Sequence, residues 1–251
     1  MLTRNTIKHV KSLQQKKFRR ELGLFVVEGG KSVKEVLASD FVVEEVFATH
    51  AFEPELHSAL SARGLIAQQA TQAQLVEMGS YESNDSALAV VRMKDNAPFT
   101  LSTGEYALAL DDIRDPGNLG TIIRTADWFG IRKILCSEQT TEFYNPKVIA
   151  ATMGSFTRIT VHYTDLAAYF DTHETPAVYG AFLGGDNIHQ VDFERQGGVI
   201  VIGNESHGIG ETLAPAVTRR ITIPTYGHAE SLNAGIATAV ILDNLRRSLS
   251  A

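Results

Sequence analysis

The chain has 251 residues, long enough to bury a sizeable core and form two domains, and its 44% apolar content is that of an ordinary soluble protein. No apolar run reaches the roughly 18 residues of a membrane span, no apolar core follows the basic start as in a signal peptide, and a single cysteine excludes an internal disulfide framework and points to the cytoplasm. The net charge of −6 does not announce a polyanion binder, so any such role must rest on where the charges sit.

Residues 3–20 read as helical, as two short helices. Gly23 to Val27 is a short apolar strand, and Glu28-Gly29-Gly30 turns it into a helix at Lys31 to Ala38. A strand follows at Val42 to Ala48 and a helix at Pro54 to Ala62, with the proline in the first turn. Gly64 to Ala67 reads as a brief strand. Thr71 opens a helix to Met78 with a Thr-x-x-Gln capping pattern, and Ala87 to Met93 is a strand. This alternation predicts a small α/β layer domain over residues 1–99. Lys94 to Gly104 is polar and turn-rich and reads as a linker.

From residue 100 the alternation is clearer. Strands are predicted at Tyr106 to Leu110, Ile131 to Cys136, Arg158 to His162, Ala177 to Phe182, Gly198 to Ile202 and Arg219 to Ile223. Helices fall between them: one ending at Trp128, then Asn145 to Met153, Asp165 to Thr172 and one after Gly210. A long helix closes the chain. The pattern predicts a largely parallel sheet with helices on both faces over residues 100–251. Cys136 reads as a core residue at a strand end.

The charge is unevenly spread. Residues 1–99 balance at 12 basic against 12 acidic groups, whereas residues 100–251 run 11 against 17. The first 20 residues carry Arg4, Lys8, Lys11, Lys16, Lys17, Arg19 and Arg20 and no acid. Such a head suits phosphate contact; a solvated amphipathic helix is the other reading.

Three stretches carry candidate chemistry. The first runs from Leu110 to Gly130, where a strand end leads through Asp112, Asp115, Pro116 and Gly117 into a helix. Asn118 is placed to cap that helix, and Arg124 lies under two turns further on, read as leaving its buried side. An ion pair between Arg124 and an acid such as Asp112 is the structural alternative. The second is Val199 to Gly210, an apolar strand running into Gly203, Glu205, Gly208 and Gly210. It lacks the Gly-Lys-Ser/Thr of a P-loop and the spacing of a dinucleotide fingerprint. His207 reads as surface polar. The third joins the strand at Ile223 to the last helix through Pro224, Gly227, Glu230, Ser231, Leu232 and Asn233, and Ala234, Gly235, Ala237 and Ala239 make that helix small-sided. The eight histidines form no ligand-spaced cluster, so no metal site is expected.

In order and spacing the three stretches resemble motifs 1, 2 and 3 of the SpoU (TrmH-like) RNA ribose 2′-O-methyltransferases of the SPOUT superfamily. Residues 105–245 carry the resemblance. The first hundred residues resemble the ribosomal-protein-like RNA-binding domain found in that family. The resemblance implies a parallel α/β domain whose C-terminal segment threads into a deep trefoil knot, and a homodimer with each active site near the interface. It implies S-adenosyl-L-methionine held through Gly203, Ile223 and Leu232, with Arg124, Asn118, Glu205, Ser231 and Asn233 as the catalytic group. Arg124 is expected to fix the ribose and phosphate with Asn118 holding it, and Arg4, Lys8, Lys16, Lys17, Arg19 and Arg20 to contact RNA. The substrate implied is ribosomal RNA of the 23S type. Transfer RNA is the alternative, as is a non-catalytic RNA-binding factor for ribosome assembly.

Overall fold

The computed structural model describes residues 2–250, which form two compact units. The first extends to Asp95 and includes Phe143–Thr157; the second takes Asn96–Glu142 and the chain from Arg158 onward.

The first unit begins with α1 (Arg4–Ser12) and α2 (Lys16–Leu22). Thr3 caps α1 by accepting from the Thr6 amide, and Ile7 and Val10 turn its apolar face inward. Then come β1 (Leu24–Glu28), α3 (Gly30–Leu37), β2 (Val43–Ala48), α4 (Glu53–Ala62), β3 (Ala67–Gln69), α5 (Gln72–Met78) and β4 (Ala87–Arg92). The sheet order is β1-β4-β2-β3, with only β2 and β3 parallel. Both bonds of the predicted capping box form on α5: Gln74 N donates to Thr71 Oγ1 at 3.2 Å and Thr71 N to Gln74 Oε1 at 2.9 Å. The strand expected at Gly64 to Ala67 lies later, at Ala67–Gln69. The Leu65 amide bonds back to Leu60 O at 3.0 Å, so the helix-ending turn takes the residues before it.

The second unit holds β5 (Tyr106–Leu110), α6 (Pro116–Trp128) and β6 (Lys133–Cys136). The chain then supplies the first unit with α7 (Pro146–Thr152). The sequence alternation puts this helix in the second half. Its segment instead carries Phe156 and Tyr144, whose rings lie 6.0 Å and 4.6 Å from that of Phe25 on β1. The second unit resumes with β7 (Thr160–Tyr163), α8 (Leu166–Thr172), β8 (Val178–Asn187), β9 (Gly198–Ile202), β10 (Arg219–Thr222) and α9 (Ala234–Ser250). All six strands are parallel, in the order β10-β8-β9-β5-β6-β7. β5 and β9 are buried along their whole length, as central strands covered on both faces should be.

The helix expected after Gly210 is absent, and only a 3-10 turn, Ala214–Ala216, occupies that stretch. Pro215 lies inside it, and a proline there lacks the N–H that a longer helix would need. Cys136 is fully buried at the end of β6, and burial pushes its thiol well above the usual range, as suits a core residue.

Candidate active site

The three motif stretches leave the sheet at the C-terminal ends of β5, β9 and β10, where open parallel sheets bind ligands. After β5, Asp115 caps α6 by accepting from the Asn118 amide at 2.7 Å, and Pro116 fills the first turn. Asn118 is therefore not the cap that its sequence position suggested. Its side chain, already inside the helix, is free to cross to the other motifs.

It reaches both. Asn118 Nδ2 donates to Glu205 Oε1, and Asn118 Oδ1 accepts from Asn233 Nδ2 at 2.7 Å. Asn233 Oδ1 in turn accepts from the Gly235 and Ile236 amides at 3.0 and 3.3 Å, which caps α9. A relay thus runs from the Glu205 carboxylate through two carboxamides to a helix N-terminus, one residue from each motif. Its first link is charge-assisted, the stronger kind of hydrogen bond.

The turn after β9 is tight. Asn204 N donates to Gly208 O at 3.0 Å and Gly208 N to Asn204 O at 2.9 Å. A Cβ at Gly203 would lie 2.2 Å from the Gly208 carbonyl carbon, so glycine is required there. At the third motif Gly235 plays a similar part. A Cβ there would sit 2.9 Å from Thr121 Cγ2, so the small-sided start of α9 packs on α6 of its own chain.

Beside the relay lies a cavity of about 760 Å³, within the range that takes nucleoside-sized ligands. Gly203, Glu205, Ser231, Ile223 and Leu232 all line it; Asn118, Asn233 and Arg124 are not among its walls. Ala181 to Gly184, in the middle of β8, also face it. Sequence reading ended that strand at Phe182. The Gly184-Gly185 pair was the available signal, since paired glycines in a strand mark a bulge or a close approach. Pairing along β8 indeed jumps from Gly180 to Asp186 opposite consecutive residues of β10, so the intervening residues bow out of the ladder.

Arg124 departs from expectation. It lies on the exposed face of α6, and no hydrogen bond or ion pair joins it to another described residue. Asn118 does not hold it, because Glu205 and Asn233 occupy that carboxamide. Nor does Asp112, which pairs with Arg114 at 2.7 Å and His207 at 3.3 Å. Trp128, one turn further along the same face, is 84% exposed.

In the first unit Arg4, Lys8, Lys11, Lys16, Lys17 and Arg20 are exposed. Arg19 is not: it is 2% exposed and donates to Leu13 O and Gln14 O, both at 2.9 Å. The expectation that it touches RNA is corrected. It ties down the turn between α1 and α2.

Residues 105–243 match the model of the SpoU rRNA Methylase family, more than half of the chain. The chain belongs to this family. Residues 4–89 match the MRM3-like substrate binding domain. Over 96% of its length the SpoU chain is 30% identical to the 23S rRNA (guanosine(2553)-2′-O)-methyltransferase RlmP of Bacillus subtilis (strain 168), 95% of which is covered. An AdoMet-bound rRNA methyltransferase from Sinorhizobium meliloti superposes with a TM-score of 0.88 at 29% identity, covering 99% of this chain and 97% of that one. A putative TrmH-family RNA methyltransferase from Porphyromonas gingivalis gives 0.83 at 32% identity, covering 98% and 99%.

Proposed function

We propose that this protein transfers a methyl group from S-adenosyl-L-methionine to a ribose 2′-hydroxyl of ribosomal RNA, of the 23S type. The observation that carries the reading is the relay Glu205–Asn118–Asn233, which joins all three SpoU motifs beside one cavity. The cavity suits the cofactor. Ile202, Ile223 and Leu232 offer apolar walls for a nucleoside, and Glu205 and Glu230 offer carboxylates to a sulfonium cation. Gly203, Ile223 and Leu232 are the assigned cofactor contacts.

The cofactor supplies an electrophilic methyl group. The chain must present the ribose oxygen in line with it and draw off the hydroxyl proton. Glu205, held by Asn118, braces the substrate side, and Ser231 and Asn233 orient the two reactants. Arg124 fixes the ribose and its phosphate. A guanidinium stays protonated at neutral pH, so proton removal falls to phosphate or water.

The exposed, unpaired Arg124 beside Trp128 suits a site completed by a second copy of the chain. The 53% exposed Ile236 adds apolar surface on α9, the helix that packs on α6. Homodimerisation and the threaded knot belong to this reading, as does a division of labour. Residues 1–99 choose the RNA, and residues 100–251 bind the cofactor. The cytoplasm is its assigned compartment.

A map of ribose methylation in total RNA, with and without the gene, tests the reading. One 2′-O-methyl group lost from ribosomal RNA is expected. Loss from transfer RNA alone would move the substrate, and no loss together with no heat on mixing with cofactor would favour a binding factor.

A further inference from the structure

Glu205 sits on a turn, and the turn needs an anchor. Two consecutive aspartates at the end of β5 supply it. Asp111 Oδ2 accepts from the Gly210 amide at 2.8 Å, at the far end of the turn. Asp112 holds the turn at two further points: its carbonyl accepts from Asn204 Nδ2 at 2.8 Å at the near end, and its Oδ2 lies 3.3 Å from His207 Nε2 beside Gly208. Asp112 is 8% exposed and left-handed, with φ at 58°, a conformation that only Asp, Asn and Gly adopt readily. Its own amide donates to Ser137 Oγ at 2.8 Å, so the strained residue is held from both sides.

We propose that Asp112 and His207 are positioning residues for methyl transfer. Their pairing clasps the turn Asn204–Gly208 to the end of β5 and so holds Glu205 against Asn118. The inference rests on the function proposed above.

The His207 side chain is 56% exposed, which screens the pair and keeps its effect moderate.

Asp112→Asn isolates the charge, because asparagine tolerates the left-handed backbone and leaves the carbonyl bond to Asn204 in place. His207→Ala removes the clasp, and His207→Gln keeps a donor. The full-length variants are compared by hydrogen exchange at the Asn204 and Gly208 amides and by turnover on ribosomal RNA. Asp112→Asn should speed exchange by about tenfold. It should lower kcat about five- to twentyfold, with KM for RNA within about twofold, as for a misplaced group. His207→Ala should do the same, while His207→Gln, which keeps a donor, should bring exchange and kcat back to within about twofold of wild type. Unchanged exchange in Asp112→Asn, or in His207→Ala, would overturn the clasp. If wild-type protein transfers no methyl group, the functional reading fails, and the exchange measurements still decide whether the clasp exists.

Discussion

Arg19 and its basic neighbours make opposite demands on the same short helix. Lys16, Lys17 and Arg20 are exposed, and replacing all three with alanine should weaken RNA binding and reduce the slope of log affinity against log salt by up to about three. Stability in urea should hardly change. Arg19→Ala should do the reverse. It leaves the Leu13 and Gln14 carbonyls without their donor, at a cost of about 1–3 kcal/mol, with the salt slope kept. Urea titration and salt-dependent binding of both variants check this. Asn118→Ala should break the relay at its middle and lower kcat by about a hundredfold, with RNA affinity little altered. Sequence alone could name these residues but not their partners. Asn118 looks like a cap because it precedes a helical run, yet Asp115 and Pro116 already start that helix. A lysine or arginine in a basic run also gives no sign of which one turns inward.

At the scale of elements, the turn after β9 depends on a missing side chain. Gly203→Ala would press a Cβ against the Gly208 and Ile209 backbone, which cannot swing away as a side chain could. We expect it to cost about 1–3 kcal/mol and to abolish cofactor binding by calorimetry. Gly227→Ala is the control, since a Cβ there meets nothing within 4 Å, and its stability should match wild type. Most elements were legible because their signals are local: the capping box of α5, the buried run of β5, Pro54 at the start of α4. Two misreadings here have different causes. The bowed section of β8 faces the cavity, a tertiary placement that a local pattern does not carry, whereas the helix expected after Gly210 is stopped by Pro215, a signal that was in the sequence.

For the molecule as a whole, the two compact units do not divide at a single cut. A fragment beginning at Asn96 would retain Phe143–Thr157 but lose the β1 residues against which Phe156 and Tyr144 pack. It would expose Val148, Ile149 and Phe156, all buried in the whole chain, and should aggregate or melt earlier than the intact protein. A thermal scan and light scattering of the fragment check this. The polar, turn-rich stretch Lys94 to Gly104 spans the division of the units between Asp95 and Asn96, but composition cannot show that a later segment returns. Trp128→Glu should leave a monomer in sedimentation if a second copy covers the exposed face of α6. The three motifs are legible in order along the sequence because each follows a strand, and the parallel sheet brings those strand ends to one side. The most direct test of the central claim is to incubate the purified protein with ribosomal RNA lacking the modification and methyl-labelled S-adenosylmethionine, then hydrolyse the RNA in alkali. A methyl group on the ribose 2′-oxygen blocks cleavage, so label in an alkali-stable dinucleotide is the expected result. Label released entirely in mononucleotides would place the methyl group on a base and contradict the assignment.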